Sequence, residues 1–257
     1  MALRRLAALG LVLGTVARAP AIDITECGQA VFRGQVGQLR NDLDCHASGI
    51  ESALGVTLQR GGTLEMNGFT IRGDGGGMGI VASGRARDQI AINGPGEITD
   101  VDIGIAGGGA RVRIRDVVAH HNTYGFTFKV SRRIEMTRVT MNDNVYGITA
   151  NGAHLIGVDV EASHNTDVGI WVNGIGSLTR LTAVGNGGSG VSWTRRLRIV
   201  DSTITGNDGL DAGFDVLTTG TVKLVNSTCE RGARIRSDYV THTSTVIGRL
   251  SCASDPR

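Results

Sequence analysis

An all-β solenoid, wound in coils of about 21–22 residues with three short strands in each, is the fold class this sequence predicts. Three observations lead to it. Asn122, Asn144, Asn165, Asn186 and Asn207 recur with almost no drift, one to each coil. A glycine that opens an apolar-x-apolar run follows the asparagine, as in Gly125-Phe126-Thr127-Phe128, Gly147-Ile148-Thr149-Ala150, Gly169-Ile170-Trp171-Val172 and Gly190-Val191-Ser192-Trp193. Apolar residues alternate in windows too short for a helix. A fixed period of this kind marks an architecture in which each unit packs only on its neighbours.

The chain opens Met1-Ala2-Leu3-Arg4-Arg5, runs apolar from Leu6 to Val16 and reaches small residues at Ala17, Ala19 and Ala21. Residues 1–21 are therefore expected to be a secretory signal peptide, cleaved after Ala21. No other apolar run approaches membrane-spanning length, so no membrane span is expected and the mature chain should be secreted, extracellular or periplasmic. Removing Arg4, Arg5 and Arg18 takes Lys+Arg from 26 to 23 against 24 Asp+Glu. That balance supplies no global field for nucleic acid, and the solenoid is expected to be a monomer. Gly is abundant at 39 residues and aromatics make up only 4%, which suits tight corners around an aliphatic core.

Residues 22–49 are irregular and are expected to form an N-terminal cap, because an open solenoid end exposes core and unpaired strand edges. The coils are then expected over 50–257. Four cysteines in an exported chain favour disulfides. Cys27 and Cys45 bracket the segment before the repeats. Cys229 and Cys252 are separated by nearly one coil, so stacking brings their backbones within about 4.8 Å. The pairs Cys27–Cys45 and Cys229–Cys252 are expected over the two crossed arrangements.

Counting back from each asparagine aligns the core. Ten before it stand Val112, Ile134, Leu155, Gly176 and Leu197; eight before it, Ile114, Met136, Gly157, Leu178 and Ile199. Five before it stand Val117, Val139, Val160, Leu181 and Ser202; three before it, Ala119, Met141, Ala162, Ala183 and Ile204. Spacings of two within each pair read as strands, and the spacing of three between pairs demands a bend. The asparagines read as a turn ladder, since Asn tolerates the left-handed region and stacked amides can bond from coil to coil. Six before them, Asp116, Arg138, Asp159, Arg180 and Asp201 alternate in charge up an outer bend, with Asn226 in the next coil.

Leucine-rich repeats and six-residue left-handed coils both fail on pattern. What remains resembles the right-handed parallel β-helix family of pectate lyases, polygalacturonases and NosD-like carbohydrate-binding proteins. The resemblance implies a substrate lying across the outer face of the Gly-apolar-x-apolar strand and its flanking loops. Outward positions there are Val81, Ala106, Thr127, Thr149, Trp171, Ser192 and Asp215, and the turn after them carries Lys129, Arg132, Arg133, Asn151, His154, Asn173, Arg195 and Arg196. Trp171, Thr149, Ser192, Asn151 and Asn173 suit a sugar, whose ring stacks on indole while its hydroxyls take hydrogen bonds. Lys129, Arg133 and Arg196 suit a carboxylate or sulfate. An ordinary solvated β-face with one tryptophan fits the same residues.

Catalytic signatures of the family do not carry over. Pro20, Pro95 and Pro256 match no lyase Arg-x-Pro-x-x-Arg segment, and Asn165-Thr166-Asp167, which matches a polygalacturonase motif literally, lacks that motif's partners and belongs to the turn ladder. Asp208, Asp211 and Asp215 concentrate oxygen ligands of the kind Ca²⁺ takes, and several of the family's lyases use that ion. His121 and His164 sit two coils apart, about 9–10 Å, too far to share one Zn²⁺. The expectation is a secreted protein that binds, and in a lyase- or hydrolase-like form processes, an extracellular polysaccharide. The alternative is a non-enzymatic surface or structural protein using its coil face for protein interaction.

Overall fold

A computed structural model describes residues 19–46, 54–207, 214–238 and 243–249, the last stretches (233–238 and 243–249) as backbone only. The described chain has no helix, and its strands stack in parallel as a β-helix. Each coil contributes to three sheets. The first contains Gln29–Val31, Leu54–Gln59, Met78–Ser83, Ile103–Gly108 and Tyr124–Lys129, continues through the starts of Tyr146–Glu161 and Ile170–Val184, and ends with Val191–Trp193, Val216–Thr218 and Gly232–Asp238. The second is built around the pairing of Arg111–His120 with Arg133–Asn142, and the third uses the distal halves of the same long strands.

The inferred columns are the observed register. Val112, Ile134, Leu155, Gly176 and Leu197 pair in sequence, as do Ile114, Met136, Gly157, Leu178 and Ile199. Their side chains fill one continuous core in which Ile114, Ile134, Leu155 and Ile199 are fully buried. Volume is exchanged between neighbouring coils: Trp193 is 1% exposed, and its ring lies where a Cβ on Gly176 would come within 2.7 Å. Its indole N–H donates to the Gly174 carbonyl at 2.7 Å, so the buried polar atom is satisfied. Ser202 fits the core column because its hydroxyl accepts the Leu181 N–H at 2.9 Å and donates to the Val200 carbonyl at 2.7 Å.

The asparagine ladder is buried and bonded throughout. The backbone N–H of Asn122, Asn144, Asn165 and Asn186 each donates to Oδ1 of the asparagine one coil on, at 3.0–3.1 Å. Each Nδ2 donates back to a core-strand carbonyl, as from Asn165 to Met141 at 3.0 Å. One expectation is corrected here. The left-handed residue is not the asparagine but the one before it: His121, Asp143 and His164 have φ of 56°, and Gly185 and Gly206 have 66° and 63°. That turn frees the asparagine to point inward, so its task is hydrogen bonding rather than backbone reversal.

Asp116, Arg138, Asp159, Arg180, Asp201 and Asn226 also have positive φ, from 47° to 56°. Arg138 grips Asp116, and Arg180 grips Asp159, each through two hydrogen bonds of 2.5 and 2.8 Å. These bonds hold both carboxyls below the ordinary carboxylate range.

Residues 21–44, irregular in sequence, already carry four strands, and each pairs in parallel with a later one, for example Leu43 with Ile71. Cys27 and Cys45 form the expected disulfide across this segment, with Cα atoms 5.7 Å apart. Cys229 is also a disulfide cysteine; its expected partner Cys252 lies outside the described residues, as do residues 1–18 of the expected signal peptide 1–21. At the other end Gly232–Asp238 turns into an antiparallel pair with Thr243–Arg249, the one antiparallel pairing among the described strands. A solenoid edge is thereby covered by backbone pairing.

Candidate functional site

Strand alternation in the first sheet buries Ile170 and Val172 completely and leaves Trp171 between them, facing outward and half-buried. In register, Trp171 stands between Thr149 of the coil below and Ser192 of the coil above. Thr149 and Thr127 share a 2.6 Å hydroxyl–hydroxyl bond. Two residues further along each strand a second line runs from Lys129 through Asn151 to Asn173. Asn173 Nδ2 donates to Asn151 Oδ1 at 3.0 Å, and the Thr194 hydroxyl donates to Asn173 Oδ1 at 2.6 Å. An indole is thus flanked by rows of oriented hydroxyl and amide groups that keep unused donors and lone pairs.

Arg195 is exposed on the turn beyond Trp193, and Arg196, also exposed, opens the second-sheet strand Arg196–Val200. With Ile175, Gly220 and Thr221 they line an open groove of ≈ 440 Å³. Ile175 is 42% exposed and pairs in register with His154, so this groove has an apolar side and a cationic side.

Three expected site residues lie elsewhere: Arg196, at the head of its second-sheet strand, Arg133 and Asp215. Arg133 pairs with Arg111 on the second sheet, because Val130, Ser131 and Arg132 complete the turn before it. Its Nε lies 2.6 Å from Glu135 Oε1 without the alignment of a hydrogen bond. Burial pushes Glu135 up, but a 2.9 Å bond from Arg113 and the charges of Arg113 and Arg133 outweigh it and hold the carboxyl below its ordinary value. These groups line a separate groove of ≈ 310 Å³.

Asp215 is a further correction. The coil above Trp193 pairs Ser192 with Leu217, so the outward residue is Leu217, while Asp215 is 1% exposed and turned inward. Its Oδ1 accepts from Asn207, and its Oδ2 accepts the backbone N–H groups of Glu230 and Arg231 at 2.6 and 2.9 Å. With both oxygens engaged inside the turn, it is not placed as a calcium ligand. Asp208 and Asp211 lie outside the described residues, and among the described residues no group of three or more His, Cys, Asp or Glu is placed to hold a metal ion.

Two features were missed. Thr194 extends the amide line and was readable as the next member of the Asn151–Asn173 column. On the opposite margin of the same strands Tyr124 and Tyr146 stack at 5.0 Å and 11°. Their separation by one coil, each just ahead of the repeated glycine, was the available signal. A hydrogen bond to Asp167 raises the Tyr146 phenol above its ordinary value, and burial and the Asp167 charge act the same way.

No protein-family model matches the chain, and no curated protein matches it. Among solved structures it is similar to the A-module of the Azotobacter vinelandii mannuronan C-5 epimerase AlgE4, at 16% identity and a TM-score of 0.45, covering 77% of this chain and 79% of that one. It is also similar to the periplasmic alginate epimerase AlgG, at 14% identity and a TM-score of 0.44, covering 79% of this chain and 62% of that one. The likeness is one of fold.

Proposed function

We propose that the protein binds an acidic polysaccharide outside the cytoplasm, along the outward face of the first sheet. The observation that carries this reading is Trp171, held outward between Thr149 and Ser192 and bordered by the Asn151–Asn173–Thr194 line. A sugar ring stacks its C–H face on the indole while its hydroxyls meet the rows on either side. Lys129 and Arg195 flank that line, with Arg196 at the adjoining edge of the second sheet, and would neutralise carboxylate or sulfate groups of such a chain. The Cys27–Cys45 disulfide and the basic-then-apolar start of the chain support an oxidising compartment. Lyase- or hydrolase-like turnover is the finer form of the same reading.

The test is retention of the purified protein on neutral and anionic glycans, with and without Ca²⁺, with products followed by ultraviolet absorbance and by new reducing ends. Binding with unsaturated products means a lyase, new reducing ends mean a hydrolase, and retention alone means a binding module. Trp171→Ala should weaken retention at least about tenfold, or about 1.4 kcal/mol, with its melting temperature nearly unchanged. If the variant binds every glycan as the parent does, this face is not the site and a protein-interaction role takes its place.

A further inference from the structure

A second cationic site stands at the N-terminal end of the same flank. Phe32 and Arg33 follow the strand Gln29–Val31, Arg60 follows Leu54–Gln59, and Arg85 and Arg87 follow Met78–Ser83. The register of Val31 with Leu58 and of Leu58 with Ala82 stacks these strand ends. Three successive coils, each rising about 4.8 Å, therefore put arginine into one turn. Together with Asp88 these residues line a hollow of ≈ 250 Å³.

Three properties separate this hollow from a solvated charged surface. First, among the described residues none of its four guanidiniums makes an ion pair, whereas Arg40, Arg72, Arg113, Arg138 and Arg180 each stand against a carboxylate. Four guanidiniums against the single carboxylate of Asp88 leave the hollow an excess of positive charge that an entering anion offsets. Second, the backbone carrying Arg85 and Arg87 is fixed in advance. Asp88, 7% exposed, accepts the Arg85 N–H on Oδ2 at 2.7 Å, its own N–H donates to the Arg85 carbonyl at 2.9 Å, and its carbonyl accepts from Arg111 at 3.0 Å. Third, Phe32 is 51% exposed beside the arginines, so the hollow offers an apolar ring as well as forked donors.

We propose that Arg33, Arg60, Arg85 and Arg87 form a binding site for the carboxylate or sulfate groups of an acidic glycan, with Phe32 against the ring that bears them. Its nearest coil, the one that carries Arg85 and Arg87, lies four coils, about 19 Å, from that of Trp171. The glycan partner rests on the reading of the Trp171 face; the oxyanion site does not.

The intact protein is titrated with polygalacturonate, with a sulfated glycan, with inorganic sulfate and with a DNA duplex. The Arg60→Gln/Arg87→Gln variant should lose at least about tenfold in affinity for the preferred glycan and lose sulfate binding. An Arg115→Gln/Arg198→Gln control, which removes the same charge from exposed positions of the second sheet, should stay within about twofold. Preference for polygalacturonate or for the sulfated chain tells which acid the site takes. Should the double variant fail to fold, Arg87→Gln alone is expected to show the same direction of change. Equal losses in variant and control, no loss in either, or DNA bound as tightly as glycan would each overturn the proposal. Trp171→Ala that retains sulfate binding while losing glycan retention separates the two sites. Glycan retention lost only with the arginines would leave this site standing and remove the Trp171 face.

Discussion

The carboxylate of Asp215 occupies the place above Asn207 where the next ladder amide would stand. Oδ1 accepts Nδ2–H of Asn207 at 2.8 Å and its backbone N–H at 3.3 Å, the same two donors that Asn186 sends to Asn207. Asp215→Ala should therefore cost at least about 2 kcal/mol, since it leaves buried donors without acceptors. Asp215→Asn restores Oδ1 but sets an NH₂ against the N–H groups of Glu230 and Arg231, so it should recover only part of the loss. Urea denaturation of the three proteins would check the order.

Asn165→Ala should destabilise more than Asp159→Ala. Asn165 accepts the Asn144 N–H and donates to Met141 and Asn186, all of them buried, and each group stranded by its loss costs about 1–3 kcal/mol. Asp159 meets Arg180 on the surface, where water replaces either partner. Equal losses, or the reverse order, in chemical denaturation would show that the inner and outer ladders have been exchanged.

Trp193→Ala should cost roughly 3–5 kcal/mol through a core cavity. Because the ring fills the space over Gly176, the two positions should be strongly coupled. Gly176→Ala is expected to be damaging in the parent and less so, but still costly, once Trp193 is alanine, because the Leu155 carbonyl oxygen stays 2.5 Å from the added Cβ. A double-mutant cycle that returned additive values would separate the two residues.

Acid should weaken the outer ladder in a defined direction. Asp116 and Asp159 have folded values below their ordinary carboxyl value, through the bonds from Arg138 and Arg180. A depressed folded value gives stability that is present above the unfolded value, near 3.9, and lost as pH falls through the folded one. The melting-temperature gap between the parent and Asp116→Asn/Asp159→Asn should thus be open at neutral pH and close in stronger acid. A gap that widened in acid would contradict the assignment.

Peptide mapping without reductant should recover Cys27 linked to Cys45, and Cys229 linked to Cys252. The first bond closes 18 residues, so Cys45→Ala should cost about 3 kcal/mol by loop entropy. A crossed pairing would move the register of the last coils.

Much of the fold was legible because a nearly constant period leaves no freedom in where a core side chain falls; Val112, Ile134, Leu155, Gly176 and Leu197 align by counting alone. Counting failed where turns lengthen. The first-sheet partners Ala30 and Thr57 are separated by more than a regular coil, and so are Thr57 and Val81, which hid the early coils. The first-sheet partners Ser192 and Leu217 are also further apart than a regular coil, and aligning Gly213 with Gly190 shifted Asp215 by two places, onto the face that Leu217 occupies. Arg133 shows the same effect within one coil: the turn Val130-Ser131-Arg132 beyond Lys129 carried it to the next sheet. For the candidate site, alternation turned Trp171 outward as the structure has it, while the Tyr124–Tyr146 stack was signalled only by a one-coil spacing seen in a single pair of coils.

The amide ladder also says how long such a molecule can be. An asparagine in the middle offers upward what it receives from below, so a further whole coil inserted between Asn165 and Asn186 would find every ladder partner it needs on both sides. Neither end behaves this way. Val101 begins the ladder with only a backbone N–H, donated to Asn122, and Asp215 has no side-chain N–H to pass on. Growth by whole coils is therefore open within the ladder and closed at its two ends, and the outward face of the first sheet can be lengthened in fixed increments without redesigning either of them.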